Sequence, residues 1–120
     1  MNDSGSILNV SSGLTRYTFQ GCAAYGSTKA AIDSLTRYMA AELASRKISV
    51  NAVAPGAIAT EFGGALVQKD KEVNAALASQ TALGRVGQAD DIGNIMAVLL
   101  SEETLWINGQ RVEASGGFRL

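Results

Sequence analysis

The 120-residue chain contains no histidine, one cysteine and one proline, and its net charge is only −1. Each scarcity removes a class of function. Without histidine there is no Ser-His-Asp triad and no zinc site built from His and Cys. A single cysteine cannot form an intramolecular disulfide, and without a histidine base Cys22 reads as a small filler rather than a nucleophile. Near-neutral charge offers no basic patch for nucleic acid or for an anionic membrane surface. No apolar run approaches about 18 residues, so no membrane-spanning helix is expected. The opening Met1-Asn-Asp-Ser-Gly-Ser6 lacks the basic-then-apolar pattern of a secretory signal. The expectation is a cytoplasmic protein with no metal, nucleic-acid or membrane partner.

What is present is ordinary for a globular α/β protein: 47% hydrophobic and 18% charged residues. The length allows one domain at most. Gly5 to Ser11 reads as a buried parallel strand, with Ile7, Leu8 and Val10 apolar. Residues 12–22 form a loop. A long helix is expected from about Ala23 to Arg46, where Ala31, Leu35, Tyr38, Met39 and Leu43 recur at helical spacing. Ile48 to Ala54 is a second strand, ended by Pro55-Gly56, where glycine permits an unusual backbone conformation and a sharp turn. Residues 61–81 are polar and small, with Gly63-Gly64 near their start and a short helix around Asp70–Ser79; Leu66, Val67, Val73 and Leu77 are candidate lining or packing residues. Asp90 and Asp91 open a further helix with an apolar stripe of Ile92, Ile95, Met96, Leu99 and Leu100. Asn108-Gly109 then turns into a short strand, Gln110 to Ala114.

The organising stretch runs from Ser12 to Lys29. Ser12 falls at the end of the first strand. Tyr25 and Lys29 are four apart, so on a helix they share one face. A phenol titrates near ~10, and an ammonium on the same face favours its ionised form. A strand-end hydroxyl can hold a carbonyl or alcohol oxygen against that phenol, which makes an acid/base device for carbonyl–alcohol chemistry. Taken singly the parts are bland: a Tyr–Lys pair at this spacing is common, and a serine after a strand is usually a turn or cap residue.

Together, Asn9-Val-Ser-Ser12, Tyr25-x-x-x-Lys29, Pro55-Gly56-x-Ile58-x-Thr60, Gly84-Arg-Val-Gly87, Asn108-Gly-Gln110 and Gly116-Gly117 resemble the short-chain dehydrogenase/reductase family over nearly the whole chain. The resemblance implies a partial Rossmann-like, doubly wound parallel sheet of about three strands with flanking helices. It implies hydride transfer between NAD or NADP and a small carbonyl or alcohol substrate. In that scheme Tyr25 donates or accepts the proton, Lys29 binds the nicotinamide ribose and lowers the Tyr25 pKa, and Ser12 polarises the carbonyl. Pro55 and Gly56 would run beside the nicotinamide, with Ile58 and Thr60 at its carboxamide. Residues 61–81 would act as a substrate lid. Tyr17 and Phe19 would either line the substrate side or pack against the following helix. The long helix would build a homodimer or homotetramer interface. Ser115 stands where many members have aspartate, a departure with no expected effect on chemistry.

The family's nucleotide-binding half has no counterpart in this sequence. A glycine-rich turn between strand and helix normally seats the pyrophosphate, and neither Gly56 nor Gly63-Gly64 has that context. The residue that selects NAD or NADP is missing, and so is the family's relay asparagine, whose place neither Asn9 nor Asn51 takes. Residues 1–120 therefore read as the C-terminal, catalytic part of such a domain. Met1 could be internal to a longer frame. The other reading is a truncated, non-catalytic remnant that dimerises through its long helix. The first strand is expected to expose an apolar edge.

Overall fold

A computed structural model describes residues 2–62 and 64–120. The predicted features at Met1 and Gly63 lie outside the described residues. Strand β1 (Gly5–Val10) is followed by a 3-10 turn at Gly13–Thr15 and helix α1 (Ala23–Glu42). Strand β2 (Ile48–Pro55), short helix α2 (Leu66–Lys69), α3 (Lys71–Ser79), α4 (Ala89–Leu99) and strand β3 (Arg111–Ala114) complete the order. The sheet runs β1-β2-β3 and both pairings are parallel. Ile7 lies opposite Val50 and Ala52 opposite Arg111.

The central strand explains the core. Ile48 to Ala54 is buried at every position, as a nearly unbroken run of apolar residues on a strand with neighbours on both edges should be. Its two polar members are satisfied. Ser49 donates to Ser6 Oγ at 3.1 Å, and Asn51 donates to the Ile107 carbonyl at 2.8 Å and accepts from Gln110 N–H at 3.0 Å. Ala40 of α1 packs with Ile48 and Val50, flanked by Ile7, Met39 and Leu43. Among the described residues β1 pairs only with β2, which leaves the expected free edge. The strand expected to be buried from Gly5 to Ser11 therefore ends at Val10 and is only partly buried.

Several expectations need correction. The long helix ends at Glu42, and Ala44–Arg46 form a separate 3-10 turn before Lys47 takes a left-handed conformation, φ 56°. That turn redirects the chain into β2. The predicted apolar stripe is only partly inward, since Leu35 and Tyr38 are 48% and 66% exposed. Thr36 and Ala40 face inward instead, because small side chains let the helix approach the sheet. Residues 61–81 hold two helices rather than one. Asp70 separates them and caps α3, accepting from the N–H groups of Glu72 and Val73 at 3.0 and 3.1 Å. Gly56 does not adopt a positive φ. It is needed for close approach, because a Cβ there would lie 2.7 Å from Ser115 Cβ.

Phe19 borders the start of α1 beside Ala23, Gly26 and Ala30, and Tyr17 and Phe19 have a further partner. Their rings gather around the buried Phe118, at 4.8 and 6.2 Å between centroids. Arg119 caps the cluster, 4.4 Å above the Phe19 ring. Burial in this cluster raises the Tyr17 phenol above its ordinary pKa.

Candidate active site

The site forms where three chain segments leave regular structure. β1 ends at Val10, and Ser11 adds one more ladder bond, from its N–H to the Val53 carbonyl at 2.7 Å. Ser12 then caps the 3-10 turn in extended conformation, φ −155°, and its Oγ accepts from Leu14 N–H at 3.2 Å. The cap role and the candidate chemical role are compatible. A hydroxyl offers two acceptor sites and one donor, and Leu14 occupies one acceptor.

Helix α1 begins at Ala23, so Tyr25 and Lys29 fall on its first two turns. The Lys29 ammonium donates to the Val10 carbonyl at 2.9 Å and lies 5.7 Å from the centre of the Tyr25 ring. Tyr25 is 37% exposed, with Phe62 at 6.4 Å between ring centroids. At the end of β2, Gly56 N–H still donates to Ala114 at 3.1 Å. Ile58 is then fixed by a bridge to Gly87, with Ala59 N–H donating to the Gly87 carbonyl at 2.9 Å.

A cavity of about 510 Å³ lies between these segments, and all seven candidate residues wall it: Ser12, Tyr25, Lys29, Pro55, Gly56, Ile58 and Thr60. Val67 joins them from α2, whereas Leu66, Val73 and Leu77 do not. Lys29 is the only charged side chain among the described lining residues. The space therefore suits hydroxyl or carbonyl oxygens beside an apolar surface.

The sequence reading missed eight members of the wall, among them Ser11, Phe62 and Met96. Met96 belongs to the recognised stripe of α4, but periodicity gives the face of a helix and not what that face meets. Ser11 is 2% exposed and its Oγ has no partner among the described residues. The reading also missed an ion-pair hub behind Ser12. Arg16 grips Glu113 with two hydrogen bonds of 2.8 Å. The Arg16 hydrogen bonding holds the Glu113 carboxyl at about 2, far below the usual range, despite the opposing effect of burial. Arg111 and Glu113, two apart on a strand, were the available signal. Asn9 and Asn51 serve structure, Asn9 donating to Thr36 Oγ1 at 3.0 Å.

The sequence profile of the family described as Enoyl-(Acyl carrier protein) reductase matches residues 1–119. The 3-oxoacyl-(acyl-carrier-protein) reductase FabG of Staphylococcus aureus is 43% identical over 114 residues, which are 95% of this chain and 45% of that protein. The crystal structure of the angucycline C-6 ketoreductase LanV with bound NADP gives a TM-score of 0.90 at 38% identity, covering 99% of this chain and 45% of that one. A 3-oxoacyl-(acyl-carrier-protein) reductase from Brucella melitensis with bound NAD gives 0.84 at 35% identity, covering 97% and 41%. The chain thus spans a little under half the length of the relatives it matches. With its three parallel strands, flanking helices and family-wide match, the chain belongs to the short-chain dehydrogenase/reductase family of oxidoreductases.

Proposed function

We propose that this chain carries the catalytic portion of an NAD(P)-dependent oxidoreductase acting on a small carbonyl or alcohol substrate. The reading rests on the convergence of Ser12, Tyr25 and Lys29 in one cavity walled by the Pro55–Thr60 segment. The relatives named as ketoreductase and 3-oxoacyl reductase support carbonyl chemistry.

The donor set fits the nicotinamide-ribose end of the cofactor. An ammonium has three protons; Lys29 uses one on Val10, which leaves two for ribose hydroxyls. Pro55 and Gly56, with Ile58 and Thr60, supply a wall for the nicotinamide ring and its carboxamide. The described residues hold no glycine-rich turn joining a strand to a helix, so the pyrophosphate and adenosine would be held by protein outside this chain. NAD and NADP are identical at the nicotinamide end, and the residues of this cavity do not discriminate between them.

When bound, the cofactor supplies or accepts the hydride. Tyr25 gives a proton to the substrate oxygen, or takes it, at the phenol oxygen. Ser12 donates its free O–H to the same oxygen and orients it. The apolar side chains of Ile58, Val67 and Met96 receive the carbon skeleton and exclude water.

Titration of the chain with NADH and NADPH, followed by cofactor fluorescence, tests the reading. In a version joined to a nucleotide-binding half, saturable binding is expected, and Tyr25→Phe should keep that binding while abolishing turnover with a carbonyl substrate. Near-normal turnover by the variant would sink the assignment. A second reading, a non-catalytic remnant that dimerises through α1, is favoured by the exposure of Leu35 and Tyr38 on that helix. Dimers in sedimentation without cofactor binding would select it.

A further inference from the structure

Arg111 and Glu113 share one face of β3. Neither lines the cavity, yet Arg111 reaches the turn that carries Ser12. Its Nη2 donates to the Ser12 carbonyl at 3.0 Å, and its Nε donates to Thr15 Oγ1 at 2.8 Å. Thr15 donates to the same Ser12 carbonyl from its N–H at 3.2 Å and its hydroxyl at 3.1 Å. The guanidinium also lies 3.2 Å from Asp33 Oδ2. Asp33 belongs to α1, the helix that carries Tyr25 and Lys29. Its other oxygen is buried with no hydrogen-bond partner among the described residues. One partly buried side chain therefore bridges the two elements whose spacing sets the distance from the Ser12 hydroxyl to the Tyr25 phenol.

Glu113 orients the bridge. It accepts from Arg111 Nη2 at 3.2 Å and from Ser115 Oγ at 2.8 Å, in addition to its two bonds from Arg16. Arg16 continues to the carbonyls of Phe118 and Arg119. The Ser12 turn is thus held at both ends, by Arg111 near its start and by Arg16 at its close. Only a planar guanidinium, with five donors in a fixed fork, can serve Ser12, Thr15, Asp33 and Glu113 together.

We propose that Arg111 is a positioning residue, holding the Ser12 hydroxyl at the Tyr25 phenol by tying the Ser12 turn to α1. This rests on the roles proposed above for Ser12 and Tyr25. Hydrogen-bond reach to a reacting oxygen spans only about 2.6–3.2 Å, and a misplacement of about 1 Å is enough to lose about a hundredfold in rate.

The test compares the unmodified chain with Arg111→Met by amide hydrogen exchange, and the same pair joined to a nucleotide-binding half by NADH and NADPH titration and turnover. Exchange at Leu14 and Thr15 should become at least about ten-fold faster, while β2 amides keep their protection. Cofactor affinity should hold, and kcat should fall about ten- to a hundred-fold with little change in KM. Arg111→Lys should recover only part of kcat, because an ammonium lacks the fork. Unchanged exchange at Leu14 and Thr15, or an unchanged kcat, overturns the proposal. If Arg111→Met does not fold, Thr15→Val removes two bonds of the bridge with little change of shape. The same acceleration at Leu14 is then expected, and its absence overturns the proposal. If cofactor binding and turnover are absent even when the chain is joined to a nucleotide-binding half, the proposed function falls, while exchange on the chain itself still decides whether Arg111 holds Ser12.

Discussion

The Lys29 ammonium donates a 2.9 Å hydrogen bond to the carbonyl of Val10, the last residue of β1. This bond joins the first turns of α1 to the strand end just before Ser12. It orients the ammonium in the cavity and leaves two of its protons free.

Lys29→Met should therefore act on ligand binding far more than on folding. Removal of a partly exposed, charged hydrogen bond costs about 1 kcal/mol or less of stability. Affinity for NADH should fall by at least about ten-fold, because the replacement has no donor for ribose hydroxyls. Thermal melting and a fluorescence titration on the same samples separate the two effects. An unchanged affinity would remove Lys29 from the binding role.

Gly56→Ala should be more damaging than its size suggests. The new Cβ would lie 2.7 Å from Ser115 Cβ and 2.9 Å from Ser115 Cα. The backbone between β2 and the C-terminal segment must then separate, at about 1–3 kcal/mol by the usual cost of overpacking. Denaturant unfolding should show the loss in the midpoint with little change of slope. A midpoint equal to that of the unmodified chain would contradict the tight approach.

Acid should weaken the chain over a defined window. Glu113 is held at about 2 against an ordinary 4.5, chiefly by hydrogen bonding from Arg16. Asp91 is held at about 2 against 3.8, chiefly by its hydrogen bond from Arg85. Both groups bind protons more readily when unfolded. Their contribution is complete above the ordinary carboxylate values and is lost as pH falls towards about 2. Melting temperature should drop between about pH 4.5 and 2, and Glu113→Gln should flatten part of that slope. An identical slope in the variant would show that Glu113 is not linked to folding.

Much of this arrangement was legible in the sequence because it depends on short spacings. The Tyr25–Lys29 interval and the strand-end position of Ser12 were read from spacing, whereas Pro55, Gly56, Ile58 and Thr60 were named from the family resemblance; all seven wall one cavity. The strand Ile48–Ala54 was legible, but burial was read for the first strand, whose residues Gly5–Val10 are only partly buried because it has a neighbour on one edge alone among the described residues. The inward stripe of α1 was less legible: Leu35 and Tyr38 look like core on hydropathy alone, but the sheet is approached through Thr36 and Ala40. Tyr17 and Phe19 were ambiguous because their partner, Phe118, lies about 100 residues away. The bridge from Arg111 to Ser12 was hidden for the same reason. Nothing local to either residue encodes a pairing between the first strand's end and the last strand.

That remoteness carries a kinetic consequence. Ser12 and Arg111 are 99 positions apart, and Arg16 and Glu113 are 97 apart. Loop-closure entropy opposes such contacts until the intervening chain has condensed. The Ser12 turn therefore reaches its final geometry only after β3 has docked, so the candidate chemical centre matures at the end of folding. In pulse-labelled refolding, the Leu14 amide should gain protection later than the amides shared by β1 and β2. A chain whose β3 has not yet docked would hold a formed sheet core and an unset Ser12.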